Sequence, residues 1–190
     1  EFLYRYLAFT GDYELLEQWL PWLDKNKEST LAEHMVCAAE YYLSLENVGE
    51  HGLCKIYGGD WNDAVNMAGL RGRGESVTVS CQAIMALRDV AEILQQAGKF
   101  PQKITEYTEA AEKLRQNILA HARNGQGWFN SVFNDDGRWI FSDEDPDGEM
   151  RAYGPVNYYA VISGAVEPER VDDALAVAQM LKSPYGYRLF

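Results

Sequence analysis

Apolar residues recur along this chain at three- and four-residue steps, in stretches that come two at a time with glycine, proline or an N-capping residue between them. That pattern predicts packed helical hairpins. Leu3, Tyr6 and Leu7 precede Thr10-Gly11-Asp12, and Tyr13, Leu16 and Leu20 follow it, which predicts a first hairpin with Asp12 as the N-cap of its second helix. Ser29 or Thr30 caps the next helix, with Glu33 placed to complete a capping box; its stripe is Leu31, Met35, Ala38, Ala39, Tyr42 and Leu43. Val79, Ala83, Leu87, Val90 and Leu94 predict a long helix over 75–96, broken by Gly98 and Pro101, and Tyr107, Ala111, Leu114 and Ile118 predict its partner over 104–122. A last pair over 157–163 and 169–181 is split by Gly164 and Pro168. The exception is 128–141, where Asn134-Asp135-Asp136-Gly137 stands between two short apolar runs and predicts a β-hairpin.

Helical pairs repeating every ~40–50 residues stack side by side, so the predicted class is all-α with a short β-hairpin insertion. Periodicity alone leaves open whether they close into an α/α toroid or form an open solenoid. A chain of 190 residues holds one domain with a sizeable core. The net charge of −12 argues against a phosphate-backbone partner, because nucleic-acid affinity comes from clustered Lys and Arg. The absence of an apolar window of ~18 residues argues against a membrane span, so a soluble, cytoplasmic protein is expected. Cys37, Cys54 and Cys81 form neither a CxxC pair nor a His-partnered cluster and are expected to be reduced core thiols. The apolar starts and ends of the chain, Phe2-Leu3-Tyr4 and Tyr187-Arg188-Leu189-Phe190, predict a fragment of a longer protein.

Chemistry concentrates in the glycine-rich connection over 49–74, which is too long for an idle loop in a compact domain. It carries Gly58-Gly59-Asp60-Trp61-Asn62-Asp63, then Asn66, and leads to Gly72-Arg73-Gly74-Glu75-Ser76 at a helix start. Glycines admit close backbone approach, Trp61 offers a flat face to a sugar ring, and Asp60, Asn62, Asp63, Arg73 and Glu75 are the residue types that bind hydroxyls. The same run also reads as a turn with one buried indole, and Glu75 as an ordinary first-turn helix acid. His34, His51 and His121 read as structural. The acids Asp143, Glu144, Asp145 and Asp147 lack the alternation and closing Glu of a calcium loop and read as a solvated acidic loop with no metal.

Gly59-Asp60-Trp61-Asn62-Asp63, preceded by His51-Gly52-Leu53 and followed by Gly72-Arg73-Gly74-Glu75-Ser76-Val77, resembles the signature of the cellobiose/chitobiose phosphorylases, glycoside hydrolase family 94. Further matches lie in Thr10-Gly11-Asp12, in Ala160-Val161-Ile162-Ser163-Gly164-Ala165 and in Ser183-Pro184-Tyr185-Gly186-Tyr187-Arg188-Leu189. The resemblance implies that 1–190 is part of an (α/α)6 catalytic domain. It implies inverting phosphorolysis of a β-linked disaccharide or oligosaccharide, with inorganic phosphate as co-substrate, no further cofactor, and a homodimeric full-length protein. By the same resemblance Asp63 is the general acid and Trp61 contacts the sugar, with Asp60, Asn62, Arg73 and Glu75 as substrate-binding residues. Thr78, where the family commonly has Trp, and Tyr153-Gly154-Pro155, in place of Gln-Ser-Trp, depart from the pattern and bear on substrate choice. An inverting hydrolase on the same fold, which needs a second carboxylate such as Asp60, and a non-catalytic sugar-binding scaffold are the competing expectations.

Overall fold

The two longest apolar stripes become the two longest helices, Val77–Gln96 and Pro101–His121. The computed structural model describes residues 1–23, 26–59 and 65–190. Among these are six α-helices: α1 (Phe2–Thr10), α2 (Leu31–Leu43), α3 (Val77–Gln96), α4 (Pro101–His121), α5 (Gly154–Ile162) and α6 (Val171–Met180). The strands are short: β1 (Trp19–Pro21) pairs with β2 (Glu28–Thr30), β3 (Glu75–Ser76), β4 (Val132–Phe133) and β5 (Trp139–Ile140) form one antiparallel sheet, and β6 (Lys182–Ser183) pairs with β7 (Gly186–Tyr187). About half of the chain is helical, as its periodicity predicts.

Helix α3 is the centre of the fold. Val77, Cys81, Ala83, Ile84, Leu87 and Leu94 are all fully buried on it, and these positions span more than one face. A helix apolar on several sides must have neighbours on several sides. Here α1 and α2, α4 and α5 supply them, with Tyr107, Ala111 and Ile118 of α4 and Val156 and Ala160 of α5 closing the core. The chain leaves α3 through Gly98, whose φ of 66° lets its own N–H reach Gln95 O and the Lys99 N–H reach Leu94 O, so the last carbonyls are satisfied and α4 folds straight back. Buried desolvated thiols follow from this core: burial pushes Cys54 up to about 11 and Cys81 up to about 12, so both stay protonated. Cys37, expected inside, is exposed on the outer side of α2.

Thr30 caps α2 as expected: its Oγ1 accepts from the Glu33 N–H, and the Glu33 carboxylate accepts from the Thr30 N–H. Three predicted boundaries are corrected. The second helix of the first hairpin is a single 3₁₀ turn over Tyr13–Glu17, and the chain then extends into β1. Pro21 biases its predecessor to extended backbone, and so short a stretch cannot nucleate a helix alone. The long helix begins at Val77, because Glu75 and Ser76 are spent pairing with Phe133 and Val132, and the Ser76 side chain caps α3 by accepting from the Val79 N–H. The predicted hairpin around Asn134-Asp135-Asp136-Gly137 forms, but β3 extends it to three strands. This added strand ties the glycine-rich connection to the core.

Candidate active site

The 49–76 connection is held by two carboxylates, one from its own end at the start of α3 and one from the β4–β5 turn. The first is Glu75, whose side chain is fully buried. Its Oε1 accepts from the backbone N–H groups of His51 (3.1 Å) and Leu53 (3.1 Å), and its Oε2 lies 2.6 Å from Nδ1 of His51. Gly49 lies directly against this carboxylate, and a Cβ there would overlap it. The His51 ring sits among Phe133, His121 and Trp139, with centroids 4.5, 5.0 and 5.6 Å away.

The second carboxylate is Asp135, carried on the β4–β5 turn. Its Oδ1 accepts from the N–H groups of Arg73 (2.9 Å) and Gly74 (3.0 Å), its Oδ2 accepts from Arg71 N–H (2.6 Å), and its own N–H donates to Ala68 O (2.8 Å). Burial pushes the Asp135 carboxyl up, but the three backbone donors and the Arg71 charge together bring it below the usual carboxylate range. Arg73 forks onto Glu50 through Nε and Nη2, both at 3.0 Å, and its guanidinium stands 5.2 Å from the Phe133 ring centroid. That fork holds the Glu50 carboxyl below its ordinary range.

Between these clamps the chain crosses itself. Ile56 N–H donates to Gly74 O, Ser76 N–H to Cys54 O, and Met67 N–H to Gly58 O. Tyr57 (φ 46°) and Met67 (φ 72°) hold left-handed backbone that bulky side chains adopt at a cost of ~1–3 kcal/mol each, and such strain gathers at working sites. Gly74 passes so close to Gly69 that a Cβ would strike backbone, with Ala68 O at 2.9 Å. Gly74→Ala is therefore expected to cost ~1–3 kcal/mol or to abolish soluble expression, whereas Gly125→Ala, with nothing within 4 Å, should stay within ~0.5 kcal/mol of the wild type in thermal unfolding.

Asp60, Trp61, Asn62 and Asp63 lie outside the described residues; the described Gly59 and Val65 flank them. Of the other two site residues read from the sequence, Arg73 is half-exposed and paired with Glu50. Glu75 is turned wholly inward, with both oxygens engaged by the 51–53 backbone and His51, so it anchors a loop and does not offer itself to a hydroxyl. Sequence reading missed Asp135, Glu50 and the His51 contact, since partners 22–64 residues apart leave no local pattern. The acidic loop is also less solvated than expected: Asp145 is buried, accepting from Ser142 and from Arg151. Arg151 also grips Asp147, holding its carboxyl at about 2. No group of three His, Cys, Asp or Glu among the described residues is arranged to hold a metal ion. No helix among them is long and apolar enough to cross a membrane.

The buried Glu75 carboxylate thus stands at the N-terminal end of α3, and the connection it holds carries the Asp60-Trp61-Asn62-Asp63 run. Residues 2–190 match the family model described as the glycosyl hydrolase 94 superfamily, catalytic domain, and the chain belongs to that family. It is 36% identical over 182 residues to solabiose phosphorylase of Paenibacillus borealis, covering 95% of this chain and 23% of that protein. It is 33% identical over 187 residues to N,N'-diacetylchitobiose phosphorylase of Vibrio proteolyticus, covering 97% of this chain and 22% of that protein. Cellobionic acid phosphorylase of Neurospora crassa is 29% identical over 186 residues. The chain thus spans under a quarter of the length of these relatives. Among solved structures, a GH78 family rhamnosidase of Bacillus sp. GL1 superposes with a TM-score of 0.68 over 95% of this chain and 16% of that one. At 18% identity that likeness is one of fold.

Proposed function

We propose that the protein to which this chain belongs cleaves a β-linked disaccharide or oligosaccharide by inverting phosphorolysis, releasing a sugar 1-phosphate. The reading is carried by the match of nearly the whole chain to relatives named as glycoside phosphorylases. In it the six helices are part of an (α/α)6 toroid, and the remaining helices cover the apolar surface left here by Phe2, Phe9, Ile162 and Phe190. Asp63 protonates the glycosidic oxygen as it leaves. Inorganic phosphate attacks the anomeric carbon from the opposite face; being already an anion, it needs no second carboxylate to activate it. Trp61 stacks on the sugar, and Asp60, Asn62 and Arg73 meet its hydroxyls. No metal or organic cofactor takes part, and the protein works in the cytoplasm as a homodimer on soluble sugars, without nucleic acid or membrane.

The test is a disaccharide panel on the full-length protein with and without phosphate, followed by ³¹P NMR. Turnover is expected only with phosphate, with one new sugar 1-phosphate resonance. Equal release of reducing sugar in phosphate-free buffer would assign the protein as a hydrolase.

A further inference from the structure

We propose that the buried Glu75 carboxylate and the His51 imidazole form a positioning pair for the general acid, fixing the 49–59 run that feeds directly into Asp60-Trp61-Asn62-Asp63. The proposal rests on the reading of Asp63 as the acid. Glu75 touches no exterior surface, so any part it plays in catalysis must pass through what it holds. What it holds is one loop: two backbone N–H groups and one ring nitrogen, all within 51–53.

The geometry requires both partners. For Nδ1 of His51 to donate to Oε2 over 2.6 Å, the ring proton must sit on that nitrogen, and the carboxylate fixes both this tautomer and the ring plane. The ring's other contacts, Phe133 and Trp139 from β4 and β5 and His121 from the end of α4, come from elements anchored in the core. Glu75 is itself fixed through its backbone, which pairs with Phe133 on one side and bridges to Lys55 on the other. From Leu53 the chain runs through two more cross-links, Ser76 N–H to Cys54 O and Ile56 N–H to Gly74 O, to Gly59, the residue before Asp60. A carboxylate that shapes this run therefore sets the direction in which the chain enters the Asp-Trp-Asn-Asp segment. Proton donation to a leaving oxygen tolerates little misplacement, and an ångström is enough to cost on the order of 10²-fold.

The experiment uses the full-length protein and four variants: His51→Phe, which keeps a ring among Phe133, His121 and Trp139 but removes the donor; His51→Asn, whose amide stands where Nδ1 stands and donates; Glu75→Gln; and Asp63→Asn. On the natural disaccharide with phosphate, His51→Phe and Glu75→Gln are expected to lower kcat on the order of 10–100-fold, with a smaller rise in KM from the sugar contacts carried on the same run. His51→Asn should recover to within about threefold of the wild type. With a β-glycosyl fluoride, whose leaving group needs no proton, the loss in His51→Phe should be smaller than with the disaccharide by about fivefold or more, the remaining loss coming from the sugar contacts carried on the same run. Adding His51→Phe to Asp63→Asn should cost clearly less than it does in the wild-type background, since there is then no acid to misplace. Equal losses on disaccharide and fluoride, full additivity with Asp63→Asn, or no recovery in His51→Asn would overturn the proposal. If Glu75→Gln does not fold, the two His51 variants decide alone; if His51→Phe does not fold, Glu75→Gln takes its place. Should the wild type prove to hydrolyse its substrate without phosphate, phosphorolysis fails while the same comparisons, read as hydrolysis rates, still test the pair.

Discussion

Asp63→Asn in the full-length protein is expected to lower turnover of the natural disaccharide at least ~10²-fold, about 2.7 kcal/mol of transition-state stabilisation, while sugar binding persists. Asn keeps the size and hydrogen-bonding capacity of Asp but has no proton to transfer, so ground-state contacts stay and the protonated leaving group is lost. A sugar alkoxide is a poor leaving group and fluoride is not; the variant should therefore regain part of its activity on a β-glycosyl fluoride. Asp60 stands three residues earlier, and spacing alone does not separate the two carboxyls. The choice follows the motif, in which the Asp after Trp-Asn is the acid, and the expectation that the Trp61 indole beside Asp63 favours its protonated form by desolvation. The bonds that hold the flanks, Gly58 with Met67 and Ile56 with Gly74, do not involve residue 63, so the substitution leaves them in place. Near-normal turnover in Asp63→Asn together with loss of activity in Asp60→Asn would reassign the acid.

Local pattern carried most of the fold. The three- and four-residue stripes located α2, α3 and α4 because their apolar positions recur at helical spacing, and Thr30 with Glu33 marked a start that needs only four consecutive residues. The stripe Tyr13, Leu16, Leu20 had the same form yet misled, since Pro21 and pairing with β2 draw the chain out into a strand, and only Leu16 of Tyr13–Glu17 is buried. Glu75 misled in a different way. An acid beside a helix start ordinarily favours the helix dipole, and nothing within a few residues reveals that Ser76 takes the cap while Glu75 turns back toward residues 51–53. The one trace in the sequence was Gly49, two residues before His51, where the absence of a Cβ lets the Glu75 carboxylate pass against backbone. For Asp135 there was no trace, because Asn134-Asp135-Asp136-Gly137 satisfies hairpin chemistry whether or not its second residue reaches Gly74.

Asp135→Ala is expected to release the 65–76 run from the core sheet. One nearly buried carboxylate there accepts three backbone N–H groups, from Arg71, Arg73 and Gly74, and charge-assisted bonds of this kind are worth ~1.5–3 kcal/mol each when dry. Arg71 and Arg73 lie at the surface, where water replaces the carboxylate in part, so the net loss should be ~2–3 kcal/mol and not the sum. Read by hydrogen exchange on the full-length protein, that is a ~30–150-fold loss of protection at those amides, with α3 and α4 unchanged. The pH dependence follows from the sign of the shift. The folded carboxyl titrates below its ordinary value, so its contribution is complete above the ordinary carboxylate range and disappears as pH falls through the lowered folded value. Wild-type protection should therefore hold from pH 7 to about 5 and drop toward that of the variant below about 4. The variant, lacking the group, should show no such local acid step. Unchanged exchange at Arg71, Arg73 and Gly74 in Asp135→Ala would mean that the backbone crossing of Ile56 with Gly74 holds the run without the carboxylate.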